Sequence, residues 1–243
     1  MPAKLYAVPG SHPSATVAKA LEIKGIPYEQ VLLVPVLHKA LLKARVGGTT
    51  APGLVFEDGE KVSGSREILA AIEARRPDPP LRPAGGKERR AVDDAEEWGE
   101  QVLQPLARRA TWWALTQRPD AQLSYLGDGK LFPPTPRAAA KLTGRPIAWA
   151  ERRMHGVEEA AVRADLAHLP THLDRVDRWI EEGVLGGEAP NAADLQIAPS
   201  LRLLLTLDDL REAIDARPAG ALARRLFPDY PGRAPAGALP APG

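Results

Sequence analysis

The stretch RPDPPLRPAGGK, residues 76–87, packs four prolines and two glycines into twelve positions. Proline lacks a backbone N–H and fixes φ, so neither a helix nor a strand ladder propagates through it. It divides the 243-residue chain into two parts of different character. Before it, strand and helix signals alternate. KLYAV (4–8) reads as a short buried strand, and Val17, Leu21 and Lys24 mark a helix that Gly25 stops. PYEQVLLV (27–34) is a second strand, LHKALLKARV (37–46) a short helix, and APGLVFEDGEKVSG (51–64) a hairpin turning at Asp58-Gly59. SREILAAIEARR (65–76) places Ile68, Leu69 and Ile72 at helical spacing.

After it the pattern is helical. Residues 88–117 read as one long helix kinked at Pro105. The polar, Gly- and Pro-bearing residues 118–146 predict a long irregular connection, and a helix restarts at HLDRVDRWIEEG (172–183). NAADLQIAPSLRLLLTL (191–207) is apolar all round, which predicts a helix buried at the domain centre. Residues 208–218 and 219–227 give two shorter helices, and 228–243 an extended Pro/Gly/Ala-rich tail. The predicted class is α+β: a βαβ-ββα domain over 1–83, an all-α domain over 84–227, then the tail.

Composition narrows the chemistry. The formal charge is +1, so no basic excess points to nucleic acid. MPAKLYAV lacks the apolar core of a signal peptide and no apolar run is long enough to span a bilayer, so a cytoplasmic protein with no membrane contact is expected. Abundant Ala, Arg, Pro and Gly with sparse Lys point to a GC-rich bacterial genome. Cysteine is absent, which removes disulfides, cysteine zinc sites and a cysteine nucleophile. Any sulfur chemistry must use sulfur carried in by a small molecule.

Three short stretches have chemistry within reach. In PGSHPS (9–14), Ser11 and Ser14 stand three apart at the mouth of a helix. Either hydroxyl can cap the first turn. Alternatively, a hydroxyl can donate a charge-assisted hydrogen bond to a bound thiolate, helped by the helix dipole. Together these can lower a thiol pKa from about 8.5 by about one to two units. In GSREIL (64–69), Ser65 and the N–H of Arg66 form either an ordinary cap or an anion site. In APGL (51–54), Pro52 begins a strand.

In this order, these residues resemble the cytosolic glutathione S-transferase family, as a bacterial member would, over nearly the whole chain except the tail. The resemblance implies a thioredoxin-like first domain and a helical second one. It implies a cis Ala51-Pro52 bond whose alanine backbone pairs with the cysteinyl part of a thiol, with Thr50 beside it. It places Ser11 at the family's catalytic Ser or Cys, and Ser14 where a glutaredoxin has its second cysteine. It gives Ser65 and Arg66 to the γ-glutamyl carboxylate and Lys39, next to His38, to the glycyl carboxylate. The family usually has Glu or Gln before the serine; here Gly64 stands there, so the thiol is glutathione or another low-molecular-weight thiol. Arg108, Trp112 and Trp113 fall on the helix that walls the electrophile pocket, a cation and aromatics that suit a planar, partly anionic substrate, with at least one tryptophan in the core. Residues 118–146, with Tyr125, Phe132 and Arg137, are either a lid on that pocket or a disordered insertion.

Other candidates are weaker. Tyr6 falls one position early for a tyrosine thiolate donor and reads as core. His12 faces away from Ser11. His168 and His172 are four apart with Pro170 between them and no carboxylate partner, so no metal is expected. Asn191 and Asp194 form an N-x-x-D box that caps the buried helix. The expected protein is a homodimeric enzyme of detoxification that activates a thiol for attack on an electrophilic small molecule, with isomerase and dehalogenase variants open. A non-catalytic ligand-binding or interaction protein of the same fold is the alternative, which Gly64 and SHPS favour.

Overall fold

The computed structural model describes residues 2–127, 130–134 and 137–241, the side chains of residues 137–143 excepted. Strand β1 (Ala3–Ala7) leads through helix α1 (His12–Ile23) to β2 (Tyr28–Leu33), parallel to β1. After α2 (His38–Arg45), strands β3 (Gly53–Val55) and β4 (Lys61–Ser63) form the expected hairpin, and Gly59 adopts φ +90° in its turn. Helix α3 (Ser65–Arg75) completes this layer. β3 runs antiparallel to β1, with the fully buried Leu5 and Leu54 opposite each other. The Ala51-Pro52 bond that leads into β3 is cis.

The long helical stretch is interrupted just before Pro105. Helix α4 (Gly86–Trp98) passes through a π-helical turn (Gly99–Leu103) into α5 (Gln104–Gln117). A proline that cannot donate to the helix ladder accounts for a defect at this place.

The described residues of the stretch 118–146 are more regular than its composition predicts. They form a 3₁₀ turn (Pro119–Ala121), α6 (Gln122–Tyr125), β5 (Leu131–Phe132) and the first half of α7 (Arg137–Met154). β5 pairs in parallel with the outer edge of β2, giving the sheet order β4-β3-β1-β2-β5. An exposed edge is thereby covered by a strand from beyond residue 83. Helix α8 (Glu159–Glu181) begins thirteen residues earlier than His172 and continues through Pro170. Among the described residues, no helix is long and apolar enough to cross a membrane.

Helix α9 (Ala192–Leu204) is the hub, buried everywhere except Arg202. The Asn191 side chain accepts from the Asp194 N–H at 3.0 Å, and Asp194 accepts from the N–H groups of Asn191 at 3.0 Å and Gly186 at 2.8 Å. These bonds satisfy donors that a buried helix start would otherwise leave orphaned. The two layers also share a polar tie, from the Thr16 hydroxyl to the Leu195 carbonyl at 2.7 Å.

Helices α10 (Asp208–Asp215) and α11 (Pro218–Leu226) follow. Residues beyond them lie along the helical layer, with Ala234 and Ala238 buried. Asp209 there accepts from the N–H groups of Gly237, Ala238 and Leu239.

Candidate functional site

A cleft of about 350 Å³ opens between the sheet layer and the helical layer. It is lined by the β1–α1 loop and the first turn of α1, Val8 to Pro13, and by His38 and Lys39 with Thr49, Thr50 and Ala51. Arg108, Thr111, Trp112 and Leu115 of α5 also line it, as do Glu151 and His155. Of the residues singled out in the sequence, Ser11, Lys39, Thr50, Ala51, Arg108 and Trp112 come together here.

Ser11 is the N-cap of α1, with extended backbone (φ −74°, ψ 115°). Its oxygen accepts from the Ser14 N–H at 3.4 Å and from the Ser14 hydroxyl at 3.0 Å. Both bonds use Ser11 as acceptor, so its own proton is available to the cleft. Ser14 is buried and stands behind Ser11 as a support. The loop is also held from the C-terminal side: the Tyr230 hydroxyl donates to the Gly10 carbonyl at 2.9 Å, and the Tyr125 ring lies against Gly10. Burial raises the pKa of Tyr125 to about 12, and its hydroxyl pairs with that of Thr206 at 2.7 Å, so it stays neutral.

Four candidates, Pro52, Ser65, Arg66 and Trp113, are not among the residues that line the cleft. Ser65 is buried at the start of α3; its hydroxyl donates to Gln196 at 3.3 Å and accepts from Gln196 at 3.2 Å and Gln104 at 3.4 Å. The Glu67 carboxylate lies beside this helix start, where a Cβ on Gly64 would project, without capping it. The Arg66 side chain faces Glu96, Glu97 and Glu100 at 3.4–3.9 Å. Neither side chain reaches the cleft, because the two buried glutamines draw Ser65 inward and three carboxylates hold Arg66 outward. Trp113 is buried beneath the Arg152 guanidinium, 4.6 Å from its ring, and is the core member of the tryptophan pair. Pro52 is buried behind Ala51, and Tyr6 packs with Leu33, Leu42 and Val46 away from the site.

The sequence reading did not include Glu151 and His155 and set His12 aside. Glu151 and His155 stand four residues apart in ERRMH, one helical turn, a signal visible only once α7 is read through this stretch. Glu151 is almost fully buried and accepts from the Val36 N–H at 2.7 Å, with His155 Nε2 at 3.2 Å and His38 Nδ1 at 3.6 Å. Burial opposes its charge, but His155, His38 and the Val36 N–H outweigh it and hold its pKa below the usual carboxylate value. Val36 has φ +72°, a strained conformation for a β-branched residue, pinned by that hydrogen bond. Glu151 thus fastens the segment leading to His38 and Lys39 to the helical layer. Among the described residues, no group of three or more His, Cys, Asp or Glu side chains is arranged to hold a metal.

His12 and His38 are both buried and neutral. Burial, then Arg108, lowers the pKa of His12 well below 6.5. Burial also lowers that of His38, with His155 and Lys39 adding to the effect and Glu151 opposing it. Groups with a depressed folded pKa take up protons more readily when unfolded. Stability is therefore expected to fall as pH drops below 6.5 toward the folded values. Urea denaturation at about pH 7.5 and about pH 5.5 checks this, with a smaller loss expected in His12→Gln. Equal stability at the two pH values would show that the rings charge in place.

A parallel-start mixed sheet, a cis-proline strand entry and a mostly helical remainder define a thioredoxin-like domain joined to a helical one. Residues 5–80 match the family described as glutathione S-transferase, N-terminal domain. That domain is a glutathione S-transferase N-terminal domain, and the chain as a whole has the glutathione S-transferase fold. The holo structure of maleyl pyruvate isomerase, a bacterial zeta-class glutathione S-transferase, is similar at TM-score 0.60 and 19% identity, over 91% of this chain and 90% of that one. A glutathione S-transferase from Methylobacillus flagellatus with glutathione bound gives TM-score 0.58 and 19% identity, over 92% and 93%. FzlA from C. crescentus gives TM-score 0.60 and 17% identity, over 99% and 96%. No curated protein matches the sequence.

Proposed function

We propose that this cleft binds a low-molecular-weight thiol, glutathione or a relative of it, and activates it for attack on an electrophilic small molecule. One observation carries the reading: the Ser11 hydroxyl sits at the N-terminus of α1 in the same cleft as the Thr50-Ala51 backbone. In the proposed complex Ser11 donates to the thiolate, while Thr50, Ala51 and Pro52 align the cysteinyl backbone. Lys39 meets a terminal carboxylate, and Arg108 and Trp112 face the electrophile. Proximity supplies much of the rate, since a thiolate is already a strong nucleophile. A homodimeric, cytoplasmic enzyme of the transferase, isomerase or dehalogenase kind belongs to the same reading.

The engaged Ser65 alters the expected recognition. A γ-glutamyl carboxylate would find the hydroxyl bonded to glutamines and the like charge of Glu67 close to the helix start. Calorimetric titration with glutathione, then with other bacterial thiols such as mycothiol, tests the reading. Saturable binding that weakens in Lys39→Ala but not in Ser65→Ala is the expected result. The same Ser65 geometry favours the second reading, a non-catalytic ligand-binding protein. Tight thiol-independent binding of hydrophobic ligands, with no thiol bound, would establish that one.

A further inference from the structure

We infer that the small molecule meeting the thiol in this cleft is a planar carboxylic acid, anchored by Arg108. The inference rests on the thiol reading for what the acid reacts with, but not for how it binds. Arg108 lines the cleft, and among the described residues it makes no hydrogen bond and has no carboxylate within ion-pair distance. Its neighbour Arg109, about a hundred degrees round the helix, is fully engaged by Asp165 at 2.6 and 2.8 Å. The contrast shows what a guanidinium on α5 does when a carboxylate is in reach.

The cleft holds no counter-ion for it. Its ionisable lining residues besides the histidines are Lys39, Arg108, Glu151 and Tyr125. With Tyr125 neutral, two cations and one anion leave a net charge of +1. Glu151 is tied to the Val36 N–H at 2.7 Å and lies 3.2 Å from His155, so the anion is committed elsewhere. His12 is held neutral, which adds no second charge beside Arg108. Burial and Arg109 both disfavour the charge on Arg108, and only Glu151, from a distance, favours it. Arg108 is half-buried, and a ligand carboxylate answers its unpaired guanidinium with two parallel charge-assisted hydrogen bonds.

Position separates this acid from the thiol's own carboxylate. Lys39 comes from α2 and Arg108 from α5, so the two cations reach the cleft from different elements, Lys39 from the layer that carries Thr50 and Ala51. Trp112 and Leu115 line the cleft from α5 as well, so the ligand beyond its carboxylate meets an apolar, aromatic surface.

Cinnamate and its uncharged isostere cinnamamide test this by calorimetry on the full-length protein. Cinnamate is expected to bind at least about tenfold more tightly. The preference should vanish in Arg108→Gln and persist in part in Arg108→Lys, which keeps the charge but not the fork. Saturating glutathione should leave cinnamate binding intact. Equal affinity for acid and amide, a preference that survives Arg108→Gln, competition with glutathione, or no binding of the acid would each overturn the inference. A glutathione titration without cinnamate reports on the thiol reading alone. Thiol binding without acid preference sinks only the inference, and acid preference with no thiol bound sinks only the thiol reading.

Discussion

Ser11→Ala is expected to lower thiol-dependent turnover of a dinitrophenyl halide about a hundredfold near neutral pH. The hydroxyl is placed at the α1 N-terminus with its proton uncommitted, since both of its bonds to Ser14 use it as acceptor. Without it the bound thiol should titrate closer to its free value of about 8.5, so the deficit should shrink as pH rises. Capping and thiolate donation predict different outcomes for Ser11→Asp. Aspartate caps a helix as well as serine does, yet a carboxylate beside a thiolate repels it. Retained stability with lost turnover in Ser11→Asp would separate the two roles. An unchanged pH dependence in Ser11→Ala would show that Ser11 is a cap and nothing more.

Lys24→Met is expected to lower stability by about 3 kcal/mol, a fall in melting temperature of about 6–12 °C for a chain this size. Lys24 closes α1, and its side chain is completely buried. The ammonium donates to the carbonyls of Pro77 at 3.0 Å and Pro79 at 2.6 Å and pairs with Glu73 at 2.5 Å. It is therefore the bolt between α1, α3 and the proline-rich connection, and it makes that connection part of the packed structure. Methionine fills the volume and supplies no donor, leaving two carbonyls and one carboxylate short of a partner. Lys19→Met, which breaks a partly exposed pair with Glu22 at 3.1 Å and a loose contact over the Phe227 ring at 5.9 Å, serves as the control and should cost less than about 1 kcal/mol. Similar losses in both variants would mean that burial of Lys24 does not decide its worth.

Much of the architecture was legible because its causes are local. The Asp58-Gly59 turn, the glycine stop after α1, the all-round apolar α9 and its Asn191–Asp194 cap each depend on residues within a few positions of one another. So does Ser11 at the mouth of α1. What escaped depends on residues brought together from far along the chain. Helix α7 was hidden by a glycine, a proline and a polar composition, and with it Glu151 and His155. The two-residue strand β5 is too short to show a period, and only the free edge of β2 gives it a partner.

The sequence by itself determined the two-part fold, the β-α-β-α-β-β-α order of its first part, and the placing of Ser11, Thr50 and Ala51 at element ends, because periodicity and capping are short-range. The tertiary structure alone decided which polar groups face the cleft. Ser65 suits an anion site by sequence, but Gln104 and Gln196, from two other helices, draw it into the interior. Lys24 keeps a helical stripe by sequence, but only the folded linker supplies the oxygens that justify burying its charge. Arg108 and Arg109 are indistinguishable in the sequence. Asp165, fifty-six residues on, engages one of them and leaves the other facing the cleft, because a buried charge takes whatever partner the packing of distant helices brings within reach.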